Sequence, residues 1–333
     1  MPAGTSGTPG IRTGREARGA AKLGTVKVWI AHEKGRELLG ELPAGVEVEV
    51  CEDAATLPSD PADVKFWVPP FSAKVQASDL LPQLTGLEVV QLLSAGADNW
   101  VGRVPSPVQL CDARGVHDAS VSEWVLGAAI GSLRQFPAFA RAQERQEWTP
   151  GAFTPTPELT GKRVLIVGAG SIGRAIEQRL APFEVTVTRV ARTARPEHDV
   201  HAVDELPVLL PYAEVVVLVV PLTEQTRGLV DASFLAALPD GALVVNAARG
   251  PVVDTDALVT ELASGRISAA LDVTDPEPLP AGHPLWQLPN VFITPHTGGA
   301  VLGLLPRAYG LAGAQLRRFA AGETLVNRVV DGY

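Results

Sequence analysis

Between residues 163 and 180 the chain runs from Arg163-Val-Leu-Ile-Val167 into Gly168-Ala-Gly170-Ser171-Ile172-Gly173, and then into a helical stretch ending at Leu180. A strand that delivers three glycines at this spacing to a helix N-terminus leaves few folds open. The first glycine permits a tight turn, the second lets backbone approach a pyrophosphate, and the third lets helix and strand pack closely. The helix amides then face the phosphates. The motif therefore predicts a doubly wound parallel sheet with a dinucleotide site at Gly168, Gly170, Ser171, Ile172 and Gly173. Without the flanking strand and helix, the same glycines would read only as a turn.

The surrounding rhythm supports a β-α-β reading. Strands are expected at Arg163 to Val167, Val185 to Val190, Val215 to Val220, Ala242 to Asn246, Ser268 to Val273 and Val291 to Thr294, six in all and in the order 3-2-1-4-5-6. Upstream, Val26 to Ala31, Val46 to Cys51, Val64 to Val68, Leu87 to Leu93 and Val108 to Cys111 predict a smaller parallel sheet, with weaker helical runs at Arg36 to Leu42 and Ala77 to Leu84. Ser120 and Glu123 have the spacing of a capping box ahead of Val121, Trp124, Val125 and Ala128, which predicts a long helix from about Asp118. Pro137 lacks an amide hydrogen, so that helix should end near Gln135 and a second should run to about Trp148. After His296 a helix is expected over Leu302 to Ala321, with an extended Val326 to Val330. Periodicity leaves open whether this last helix covers the large sheet or crosses back to the small one.

With 333 residues, two domains are expected. Met1 to Gly24 reads as a disordered tail of Gly, Thr, Ser, Ala and Pro, without the apolar run of a secretory signal. A net charge of −9 provides no basic field to gather nucleic acid or an anionic membrane, so a small-molecule partner is expected. Apolar stretches such as Val215 to Val220 are far short of a bilayer span. The two cysteines make neither a disulfide framework nor a cysteine-rich metal site, and the histidines show no metal spacing, so no metal and a cytoplasmic setting are expected.

Ligands of doubly wound sheets bind outside the carboxyl ends of the strands. That edge should collect Arg249 after Asn246, Asp272 and Glu277 after Leu271, and His296 after Pro295. A cation, carboxylates and an imidazole together suit reversible proton and hydride transfer to a carbonyl. Taken singly, each also reads as a surface charge or a strand-end histidine. His117 precedes the long helix and is a minor candidate.

Six blocks in order, Ser94-Ala95-Gly96-Ala97-Asp98, Gly168 to Gly173, Pro221-Leu-Thr223, Asn246-Ala-Ala-Arg249-Gly250, Leu271 to Pro278 and Thr294 to Gly299, resemble the D-isomer-specific 2-hydroxyacid dehydrogenase family. The likeness runs from about Val64 to Val330. Glyoxylate/hydroxypyruvate reductases and phosphoglycerate dehydrogenases are members of that family. It implies a flavodoxin-like α/β substrate domain from residues 25–118 and 300–333, a Rossmann domain from 119–299, and an active site in the cleft between them. It also implies Arg249, Glu277 and His296 as the catalytic set, with His296 as general acid/base, Glu277 hydrogen-bonded to it and Arg249 on the substrate carboxylate. Ser94, Ala95 and Gly96 would clamp that carboxylate and Phe71 would shape the pocket. The cofactor would lie on the glycine loop, Pro221 and Asp272, and the substrate would be a small 2-oxo or 2-hydroxy acid. A homodimer through the helix of Ser120 to Gln135 is implied as well.

The chain departs from the family where an acidic residue usually binds the cofactor ribose. Val190 takes that place, ahead of Arg192, Thr193 and Arg195, which favours NADP(H) with NAD(H) as the second candidate. Formate dehydrogenases of the family carry Gln at the position of Glu277, which argues against that activity. The second reading is a nucleotide-sensing, corepressor-like interaction protein on the same fold.

Overall fold

The computed structural model describes residues 25–53, 55–71, 78–148 and 155–330. The tail expected over residues 1–24, part of the helix expected at Ala77 to Leu84 and most of the Pro-rich loop from Thr149 lie outside these residues.

β1 (Val26–Ile30), β2 (Val46–Val50), β3 (Val64–Val68), β4 (Val89–Gln91) and β5 (Gln109–Cys111) form a parallel sheet in the order β2-β1-β3-β4-β5. This is the flavodoxin-like order. The alternating apolar side chains of these strands build a core on each face, one around Val28, Phe66 and Val89 and the other around Trp29, Trp67 and Val90. The helix expected at Arg36 to Leu42 is a single turn, α1 (Gly35–Leu38), and Gly40 beyond it has a positive φ of 73° that no helix continues. In place of the second expected helix, Leu81–Gln83 forms a 3-10 turn, with Pro82 inside it.

The large sheet is built from β6 (Arg163–Val167), β7 (Thr186–Ala191), β8 (Val200–Ala202), β9 (Val215–Leu218), β10 (Leu243–Asn246), β11 (Ser268–Leu271) and β12 (Val291–Ile293). All are parallel, in the order β12-β11-β10-β9-β6-β7-β8. The sheet thus has seven strands where six were expected. Val200–Ala202 is the third strand, so Val215–Leu218 becomes the fourth and lies beside β6 at the switch point. Three residues after a proline-led loop are too short to display a strand period, which is why β8 escapes the sequence.

α2 (Asp118–Leu133) starts where expected, but not through a capping box. Its N-cap is His117, without a side-chain cap bond, and Ser120 Oγ donates to the His117 carbonyl inside the first turn. Its apolar face packs under the large sheet through Val121, Val125, Ala128, Ala129 and Leu133, so within the chain this face is already used. α3 (Phe136–Glu144) follows Gln135, whose left-handed backbone turns the chain and leaves Pro137 in the first helical turn, where its missing amide costs nothing.

α4 (Ser171–Leu180) follows the glycine loop, and α5 (Leu206–Leu209), α6 (Ala232–Ala236) and α7 (Thr255–Ala263) cover the large sheet. α8 (Leu304–Ala320) returns to the small sheet, where Ala308, Tyr309, Ala312 and Leu316 are buried with Val28, Ile30 and Phe66. The chain beyond it makes an isolated antiparallel bridge between Arg328 and Cys111 instead of a full strand. Among the described residues no helix is long and apolar enough to cross a membrane.

Candidate active site

The glycine loop connects β6 to α4 with little room to spare. Gly168 has φ +122°, and a Cβ there would lie 2.6 Å from the Val219 carbonyl oxygen; a Cβ at Gly173 would collide with the Gly168 carbonyl. Around Gly170, by contrast, a Cβ would meet nothing within 4 Å. Gly168 and Gly173 are thus demanded by the protein's own packing, while Gly170 exposes bare backbone at the first turn of α4, which suits a pyrophosphate. Ser171 does not stand free at this turn, since its hydroxyl donates to Asp118 Oδ2 at the start of α2.

The ribose position needs correction. Val190 is fully buried in the core beneath β7, and its carbonyl accepts from Gly168 N at 2.9 Å, so no side chain at this residue could reach a ligand. The last residue of β7 is Ala191, partly exposed and also without a carboxylate. Arg192 and Thr193 are exposed beyond it. Arg195 lines a cleft of about 480 Å³ together with Ala169, Arg174, Arg189 and His198, and it donates from Nη2 to the Ala169 carbonyl at 3.0 Å. Arg189 is paired with Glu177 at 3.1 Å. Sequence reasoning missed Arg174 and Arg189, although Arg174 immediately follows the third glycine.

At the same edge, His296 lies three residues beyond β12. Its φ of +55° places a non-glycine residue in the left-handed region, a conformation costing on the order of 1 to 2 kcal/mol. Its amide donates to the carbonyls of Asp272 at 2.7 Å and Thr294 at 3.0 Å. The Asp272 carboxylate, almost fully buried, accepts from Thr294 Oγ1 at 2.6 Å, Thr297 N at 2.8 Å and Gly298 N at 2.8 Å. Asp272 therefore braces the loop that carries His296. The imidazole Nδ1 lies 2.7 Å from Glu277 Oε1, and both side chains remain nearly half exposed.

Arg249, after β10, reaches across to the loop beyond β4. Its Nε donates to Asp98 Oδ2 at 3.2 Å and its Nη1 to the Ala248 carbonyl at 2.7 Å. The guanidinium rests on Gly96 so closely that a Cβ there would overlap Nη2. Ser94 Oγ closes this turn by donating to the Gly96 carbonyl at 3.0 Å. The structure thus brings Gly96 to Arg249, whereas Phe71 packs its ring on His32 with centroids 6.3 Å apart. Pro221, just past β9, accepts from Thr226 Oγ1 at 2.6 Å through its carbonyl.

His117 belongs to this neighbourhood. Its Nδ1 is sealed from solvent without a hydrogen-bond partner, and a Cβ on Gly299 would lie 2.8 Å from it. Burial, then the positive charges of Arg307 and Arg249, push its pKa down to about 4, with Asp118 opposing and His296 adding to the shift. The sequence offered His117 only as a minor candidate, because it is the loop after His296 that places it near the charged groups. Among the described residues no three His, Cys, Asp or Glu side chains gather as a metal ion would require.

The sequence profile of the D-isomer specific 2-hydroxyacid dehydrogenase NAD-binding domain matches residues 126–298, just over half of the chain. The chain belongs to this family. It is an NAD(P)-dependent D-2-hydroxyacid dehydrogenase. It is 33% identical over 271 residues to a glyoxylate reductase of Thermofilum pendens, covering 76% of this chain and 78% of that one. A D-isomer specific 2-hydroxyacid dehydrogenase from Xanthobacter autotrophicus in complex with NADPH and MES has the same fold, with a TM-score of 0.80 and 31% identity over 93% of this chain and all of that one. An NADPH-dependent glyoxylate/hydroxypyruvate reductase from Sinorhizobium meliloti with NADP and malonate gives a TM-score of 0.75 and 27% identity, over 92% and 98% of the two chains. The corepressor-like reading gains no support from these proteins.

Proposed function

We propose that this dehydrogenase reduces a small 2-oxo acid to the D-2-hydroxy acid with NADPH, using His296 as the proton donor. One observation carries the reading: His296 Nδ1 is held 2.7 Å from Glu277 Oε1 on a braced loop, at the strand edge that also presents the glycine loop and Arg249. The glycine loop and the first turn of α4 would hold the cofactor diphosphate, and the bound cofactor supplies the hydride. With Nδ1 engaged by Glu277, the imidazole keeps Nε2 to give a proton to the carbonyl oxygen during reduction and to take it back during oxidation. Glu277 fixes the ring. Arg249, anchored through Nε and Nη1, would offer Nη2, which lies beside Gly96, to the substrate carboxylate, which the Ala95 and Gly96 backbone would also meet.

The preference for NADPH rests on the absence of a carboxylate at the end of β7 and on the arginines that follow. NADP(H)-bound structures of relatives fit this reading. The cofactor domain is taken as residues 119–299 and the substrate domain as 25–118 with 300–333, in agreement with the packing of α8. A homodimer is proposed through α3, where Phe136 is exposed, since the face of α2 is spent inside the chain. Light scattering on the purified protein tests the dimer.

NAD(P)H oxidation followed by absorbance with glyoxylate, hydroxypyruvate, pyruvate and phosphohydroxypyruvate tests the activity. Turnover of a 2-oxo acid with NADPH is expected, and turnover of none would overturn the reading.

A further inference from the structure

Asp98 lies on the small-sheet side of the cleft, 151 residues from Arg249 in the chain, yet its Oδ2 takes the Nε hydrogen of that arginine at 3.2 Å. Its turn is rigid. Ala97 is fully buried, Trp100 nearly so, and the amides of Trp100 and Val101 both donate to the Ala97 carbonyl. The remaining carboxylate oxygen, Oδ1, is sealed from solvent with no hydrogen-bond partner among the described residues, an arrangement that costs free energy.

We propose that Asp98 is a positioning and specificity-determining residue acting through Arg249; this rests on the 2-oxo acid reading above. Two consequences follow from its place. By occupying Nε, it holds the guanidinium so that Nη2 lies against Gly96. By setting a fixed negative charge beside the guanidinium, it brings the net charge of the pair near zero. A substrate carboxylate is then held by directed hydrogen bonds and not by excess positive charge, so a second anionic group on the substrate finds no cation left to compensate it. The site therefore selects monocarboxylate 2-oxo acids over dicarboxylate ones.

The test compares wild type, Asp98→Asn and Asp98→Ala. Reduction of glyoxylate and oxaloacetate is measured with NADPH, and oxamate binding to the NADPH-loaded protein is measured by calorimetry. Asp98→Asn keeps an acceptor for Nε but loses the charge, so the kcat/KM ratio of glyoxylate to oxaloacetate should fall at least tenfold. Asp98→Ala releases the guanidinium, so kcat on glyoxylate should fall at least tenfold and oxamate should bind more weakly. A ratio unchanged in Asp98→Asn, with both substrates scaling together, overturns the proposal and leaves the reductase reading standing. If wild type turns over neither acid, the reductase reading fails and oxamate decides for Asp98. Equal affinity in wild type and Asp98→Ala, or no binding to either, overturns it.

Discussion

Replacing His117 by Asn should remove a measurable part of the acid sensitivity of folding. The imidazole has an ordinary pKa of 6.5 and is pushed down to about 4 in the folded chain, first by burial and then by Arg307 and Arg249. The folded protein thus disfavours the protonated ring, and the unfolded chain binds the extra proton between these two values. The contribution is fully present above pH 6.5 and is lost as pH falls toward 4. A difference of about 2.5 pKa units at 1.36 kcal/mol each amounts to about 3 kcal/mol, of which about 2 kcal/mol is already lost at pH 5. Urea unfolding of wild type and His117→Asn at pH 7.5 and pH 5 checks this, with wild type expected to lose about 2 kcal/mol more than the variant. The ring itself is followed by the NMR shift of its Cε1 proton, assigned by its disappearance in the variant. Parallel losses of stability in the two proteins, or a titration midpoint near 6.5, would refute the reasoning.

Three further outcomes are expected. His296→Ala should lower kcat by roughly 10² to 10⁴-fold, the usual loss for a missing general acid, while NADPH affinity measured by fluorescence stays near wild type; near-normal turnover would remove the assigned role. Asp272→Ala strips acceptors from Thr294 Oγ1, Thr297 N and Gly298 N, so the unfolding midpoint should drop by the equivalent of about 1 to 3 kcal/mol and kcat should fall with it; a variant of unchanged stability and rate would show that the loop needs no brace. Wild type should favour NADPH over NADH at least tenfold in kcat/KM, with the preference lost in Arg192→Ala, Arg195→Ala, and a wild type that favours NADH would contradict the arginine reading.

Strand periodicity and the glycine spacing made both sheets and the dinucleotide loop legible, because they are local patterns: apolar runs bury in parallel strands and glycine relieves clashes with immediate neighbours. The topological rule for open sheets carried the sequence further, to the common edge holding Arg249, Asp272, Glu277 and His296. What the chain concealed depends on contacts between distant residues. β8 is too short to carry a period, and Ser120 and Glu123, whose spacing located the helix start near Asp118, do not form the capping box. Val190 looked like the ribose position until the register of β7 turned it into the core. Asp98 meets Arg249, Asp118 meets Ser171 and Gly299 meets His117 only after the chain has passed from the small sheet into the large one. Charge pairing and desolvation act through space, so the partners, the depressed pKa of His117 and the aim of Arg249 are decided by tertiary structure, while the strand, turn and helix chemistry that brings them within reach is written in the sequence.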